Sequence, residues 1–315
     1  MNGKWMKICS ALLVLCMIFN MLPVTSFAVT QTETKNVALE TEKPVQLATA
    51  SEAEEIIENR TEYTKDFRLN NGLYLAVVYP DAVHYETENG WEEIDNTLVS
   101  KNGAYKNTAG VWEVNFPQQM ESGSNITITK DGYTLSFHIA GQLRSNSLST
   151  RSVADQAEQL SLSGAENSTA KPQKIDITAQ QEHAEIEEAV PDKLQSRLLY
   201  SDVFQNTDII YDLDSNKVKE SIVIEKYENT LQGYRYNLNT DGMIPVLDDK
   251  GQILFYDSKQ ESVIMVMPAP YLLDANKEYN DDIEVSLSGT GSQYTLTYLL
   301  PQQWLADEDR AWPVI

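Results

Sequence analysis

Cysteine is nearly absent. The 315 residues hold two, Cys9 and Cys16, and both fall in the apolar N-terminal run that ends at Leu22. Once that run is removed, no disulfide, thiolate metal site or cysteine nucleophile remains, so stability must come from a buried core. Histidine is scarce as well. His84, His138 and His183 stand far apart with no HExxH-type spacing, so solvated or structural histidines are expected and no metal-binding residue or cofactor. Basic residues are the third shortage: 24 Lys and Arg face 47 Asp and Glu, a formal net charge of −23. Such a surface repels nucleic acid and anionic lipid at a distance, which excludes both as expected partners. Long apolar runs are missing too. The one candidate, Ile8 to Leu22, is shorter than the ~20 residues a spanning helix needs.

What is present at the N-terminus is an export signal. Lys4 and Lys7 precede the apolar run, and Ser26-Phe27-Ala28 puts small residues three and one positions before a cut between Ala28 and Val29. Residues 1–28 are therefore expected to be removed, leaving a secreted, extracellular or cell-wall-associated chain with no membrane contact. Residues 29–50 are rich in Thr, Glu, Gln and Ala and lack aromatics, which predicts a flexible leader. Ser51 and Glu54 form a capping box ahead of Ala53, Ile56 and Ile57, predicting a short helix at the start of a first β-rich module, 51–140.

Beyond Phe67 the apolar period is two. Leu73, Leu75, Val77 and Tyr79 alternate up to Pro80, and Trp112, Val114 and Phe116 up to Pro117. Ile126 and Ile128, then Asp131-Gly132, then Tyr133, Leu135, Phe137 and Ile139 spell a hairpin, because Asp-Gly tolerates the positive φ of a tight turn. Residues 141–192 contain no Trp, Tyr or Phe and read as a low-complexity, disordered linker. Strand signals resume in 193–315: Ile209, Tyr211 and Leu213, then Val218, Ile222 and Ile224, then Tyr234, Tyr236 and Leu238. The predicted fold is mainly β, with antiparallel β-sandwich-like modules, one short N-terminal helix and the linker. The second module ends at Trp312-Pro313-Val314-Ile315 inside an apolar run, which predicts a longer polypeptide whose downstream domains would be its first partners.

Catalytic patterns are equally hard to find. No GxSxG elbow occurs. Neighbouring acids such as Glu92 with Glu93, or Asp248 with Asp249, point to opposite faces of an extended strand and suit solvated charge better than a glycosidase pair. Asp212, Asp214 and Asn216 begin like a calcium loop, but Lys217 stands where that loop needs glycine and Val223 where it needs glutamate, so a strand-connecting turn is expected. Trp91 after Asn89-Gly90 is the candidate ligand contact, an aromatic ring able to stack on a sugar. These observations predict no catalytic residue and no enzymatic activity. The alternative is a carbohydrate-binding or carbohydrate-active domain.

Three blocks carry a resemblance. YPDAVHYETENGWEEIDNTL (79–98), YSDVFQNTDIIYDLDSNKVKESIVIE (200–225) and WLADEDRAWPVI (304–315) resemble segments of large secreted and wall-associated Gram-positive proteins of the RHS/YD-repeat and DNRLRE-domain type. Trp312 stands where that family usually has tyrosine. The resemblance implies a β-rich N-terminal module, structural or interacting, of a surface protein of the polymorphic-toxin type. Cell-wall components are then an expected partner. It transfers no catalytic residue.

Overall fold

The computed structural model describes residues 53–145, 160–173 and 193–315. The Ala28/Val29 cleavage point, the leader and His183 lie outside these residues. The chain is mainly β and its strand pairings are antiparallel.

β1 (Ala53–Glu55) occupies the position of the predicted capping box. Glu54 extends a strand there, because Ala53–Glu55 pairs with the Phe67–Leu69 end of β2 (Thr64–Leu69). The helical element that follows is one 3-10 turn, Ile57–Asn59, whose Ile57 is exposed. With Ile57 exposed and Ala53 and Ile56 only partly buried, too little apolar surface is covered to carry the helix beyond one turn. β3 (Tyr74–Val78) completes this three-stranded sheet, and β4 (His84–Thr87) with β5 (Gly90–Glu93) makes a separate hairpin.

A larger sheet begins with β6 (Asp95–Lys101), β7 (Ala104–Ala109) and β8 (Glu113–Pro117). After the two-residue β9 (Gln119–Met120), β10 (Ile126–Lys130) and β11 (Tyr133–Ser145) form the predicted hairpin. Its turn residues Asp131 and Gly132 have φ of 52° and 81°, a conformation that suits this pair and strains most others. β11 does not stop at residue 140. It runs on to Ser145 past an irregularity at Ile139/Gly141, and two further strands lie in the stretch read as linker: β12 (Leu160–Ser163) and β13 (Ser168–Gln173). β12 alternates leucine with serine and β13 is mostly small or polar, and their backbones pair with β11 and with β9 and β14 (Ser196–Phe204). The rest of 146–192 lies outside the described residues.

The remaining strands are β15 (Thr207–Leu213), β16 (Val218–Ile224), β17 (Leu231–Asn239), β18 (Ile244–Leu247), β19 (Ile253–Tyr256), β20 (Val263–Met267), β21 (Leu272–Leu273), β22 (Tyr279–Asn280), β23 (Glu284–Thr290) and β24 (Gln293–Leu299), followed by a helix, Gln302–Leu305. The large sheet is ordered β23-β24-β17-β11-β10-β8-β7-β6, with β12 attached to β11. Because β11 pairs with β17, the two regions expected as separate modules share one sheet. The second sheet is β16-β15-β14-β13-β9.

These two sheets enclose the main core. On β15, Thr207, Ile209, Tyr211 and Leu213 are buried while Asp208, Ile210 and Asp212 face outward, the period-two signature of a half-buried strand. Phe116 of the large sheet meets Tyr211 at 5.2 Å between ring centroids, and Phe204 meets Tyr234 at 6.2 Å. Two polar residues reaching into this core are partnered: Gln142 donates to the Thr207 hydroxyl at 3.1 Å, and Arg144 binds Glu228 at 2.6 Å and Thr230 at 3.1 Å. A small second core of Tyr79, Ala82, Val83, Ile94 and Leu194 lies beside the β4–β5 hairpin.

Candidate functional site

The hairpin and its small core bring together charged residues from distant parts of the sequence. His84 on β4 and Glu93 on β5 are directly opposed in the antiparallel register. β1 supplies Glu55, the residue after the 3-10 turn supplies Arg60, and β2 supplies Lys65. Val83 and Ile94, nearly solvent-free, anchor the two hairpin arms, and the backbone amides of Val83 and His84 donate to the carbonyl of Glu62. The hairpin is thereby fixed against the chain leading into β2.

Arg60 forks onto Glu55, with Nε to Oε1 at 2.7 Å and a terminal nitrogen to Oε2 at 3.1 Å, and reaches Glu93 at 3.3 Å. Lys65 donates to Glu93 and lies 3.7 Å from Glu55. The hydrogen bond Arg60 donates to Glu55 raises the Arg60 pKa against the opposing effect of burial, and the one Lys65 donates to Glu93 holds the Glu93 carboxyl below its usual range. Tyr79 is pushed up to about 12, first by burial and then by the nearby Glu55 and Glu93 charges.

His84 is fully buried. Its Nδ1 lies 2.6 Å from the carbonyl oxygen of Thr61. A carbonyl only accepts, so Nδ1 carries a proton and donates it. Nε2, also buried, has no hydrogen-bond partner and faces Glu55 Oε1 at 3.8 Å. Burial lowers the His84 pKa, with Arg60 and Lys65 acting the same way and the Thr61 and Glu55 oxygens opposing them. One nitrogen of His84 and one carboxylate oxygen each from Glu55 and Glu93 lie within 4.8 Å of one another.

The other residues singled out in the sequence are placed elsewhere. Trp91 sits on β5 opposite Glu86 and is partly buried. His138 lies on the large sheet between Asn125 at 2.9 Å and Asn237 at 3.1 Å. Asp212 is held by both nitrogens of an Arg197 fork, at 2.6 and 3.0 Å, and Asp214 by Lys217 at 3.2 Å in the turn between β15 and β16. A shallow depression lined by Asn206, Tyr227, Glu228 and Thr230 has its carboxylate committed to Arg144 and Asn206. Sequence reasoning missed Glu55 and Glu93 as partners of His84, since no local spacing joins them. The signal that was available is the block 79–98, whose Val83, His84, Ile94 and Asn96 are all buried.

No family profile matches the chain, and no solved structure does. Among curated proteins it is 24% identical to the tRNA(Glu)-specific nuclease WapA of Bacillus subtilis subsp. natto, over 97% of this chain and 12% of that protein. It is 24% identical to the tRNA nuclease WapA of Bacillus subtilis, over 82% of this chain and 10% of that protein. It is also 23% identical to a wall-associated protein of Geobacillus stearothermophilus, over 73% of this chain and 79% of that protein. The chain thus spans about a tenth of the length of these nuclease relatives. The expectation of no enzymatic activity is corrected by them, since the large proteins it matches are named for cutting tRNA. Absent motifs did not reveal this, because a motif search sees only chemistry with a fixed local spacing.

Proposed function

We propose that this chain is a β-sheet part of an exported, cell-wall-associated protein of the tRNA-nuclease kind, with tRNA cleavage an activity of the intact protein. The supporting observation is that similarity to two nucleases and to a wall-associated protein extends over most of this chain, at 97%, 82% and 73% of it. Export accords with the signal pattern ending at Ala28, and among the described residues no helix is long and apolar enough to cross a membrane. The carbohydrate-binding alternative draws no support from these relatives.

The test uses the intact gene product in its own host. Cell-wall, membrane and medium fractions are probed for the protein with and without residues 53–315, and the purified full-length form is incubated with total tRNA. Wall retention that depends on 53–315, together with tRNA cleavage by the full-length form, is the expected result. A protein found evenly in the medium in both forms, or one that leaves tRNA intact, would overturn the reading.

A further inference from the structure

We propose that Glu55, His84 and Glu93 form a binding site for a divalent transition-metal ion of the zinc class. Two observations carry it independently. The first is the convergence of three donor atoms within 4.8 Å from β1, β4 and β5. Zinc bonds of about 2.0–2.1 Å set neighbouring donors roughly 3.4 Å apart, so the 3.8 Å between His84 Nε2 and Glu55 Oε1 closes with a small movement of a flexible glutamate. The second is the orphaned nitrogen. With Nδ1 donating to Thr61, a neutral His84 points the lone pair of a solvent-free Nε2 at a carboxylate oxygen. Two acceptors facing each other repel until a cation lies between them. A histidine held by a backbone carbonyl on one nitrogen, with the other directed at acids, is the arrangement that fixes a metal-ligating imidazole.

Arg60 and Lys65 already balance the two carboxylates, so the ion enters by exchange. Arg60 can keep its fork on Glu55, because a carboxylate offers about four lone-pair positions. Lys65 is the group that leaves. Its ammonium, on a side chain only 9% exposed, contacts Glu93, whose own side chain is 42% exposed, and the flexible stem gives it an exit on that side. The chain's charge of −23 favours the gain of positive charge. Nitrogen in the donor set selects zinc, cobalt or nickel over calcium and magnesium.

The test is a zinc titration of the untagged chain by calorimetry, with cobalt as a spectroscopic probe. Saturable binding of one zinc per chain is expected, about tenfold or more weaker in His84→Gln and in Glu93→Gln, and about tenfold tighter in Lys65→Met, where the competing ammonium is gone. Cobalt should give visible absorption bands that zinc abolishes. Glu93→Gln, at a partly exposed position, serves if His84→Gln fails to fold. Absence of saturable zinc binding to the wild-type chain, or binding unchanged in these glutamine variants, would overturn the proposal.

Discussion

Gly233→Val should leave the chain unable to reach a stable fold, a loss of more than about 4 kcal/mol, in the range reserved for the most disruptive substitutions. Gly233 lies on β17, between β11 and β24 in the large sheet. A Cβ there would sit 1.9 Å from the carbonyl oxygen of Tyr298 and 3.1 Å from Cα of Leu299, so even alanine must push β24 off its partner. The obstacle is backbone, and no rotamer change relieves it. The control is Gly110→Ala, whose Cβ would meet only side-chain atoms of Asn96, Asn107 and Ile94 at 3.5–3.6 Å, ordinary contact distances. It should cost within about 1 kcal/mol. Urea unfolding followed by circular dichroism measures both. A Gly233→Val protein with a wild-type midpoint would show that β17 and β24 are not paired this closely in solution.

The backbone pattern was legible where apolar side chains announced it. The Asp131-Gly132 hairpin and the alternation of Ile209, Tyr211 and Leu213 follow from period two and turn chemistry, and the structure shows both. Strands built from polar residues were not legible. Gln142 and Arg144 look like linker composition, yet they continue β11 because Thr207, Glu228 and Thr230 satisfy them inside the protein. β13 was hidden for a related reason. Its buried positions are Ser168 and Ala170, too small to register as core, and Pro172 is tolerated beyond the two residues that β9 covers.

The candidate site was illegible because it is assembled across sheets. Glu93 reads as solvated charge beside Glu92, and no local spacing joins it or Glu55 to His84 until β1 and the β4–β5 hairpin come together. Activity was misjudged for another reason. Acidic charge and missing motifs describe this stretch of chain, whereas the relatives' activity belongs to proteins of which it matches only 12% and 10%.

Glu220 should act as a pH-sensitive tie between the two sheets of the main core. It lies on β16 opposite Tyr211 of β15, and its carboxyl accepts hydrogen bonds from the hydroxyls of Tyr211 and of Tyr236, the latter on β17 of the large sheet. The residue is only partly buried as a whole, but its acidic end is enclosed by those rings. Burial raises its pKa, and the two hydroxyl donors offset part of the rise. A folded pKa above the unfolded value of ~4.3 means the stabilising contribution is complete below that value and is lost as pH climbs through the folded one. Glu220→Gln keeps an acceptor for one tyrosine and a donor for the other, and it cannot ionise. Its stability relative to wild type should therefore improve between about pH 4 and pH 8. Glu220→Ala strands both hydroxyls in the core and should cost about 2–5 kcal/mol near pH 4, a cost that shrinks as pH rises because alanine cannot ionise either. Chemical denaturation across pH decides the matter: parallel wild-type and Glu220→Gln curves would show that this carboxyl titrates alike in the folded and unfolded chain, and that the tie carries no pH dependence.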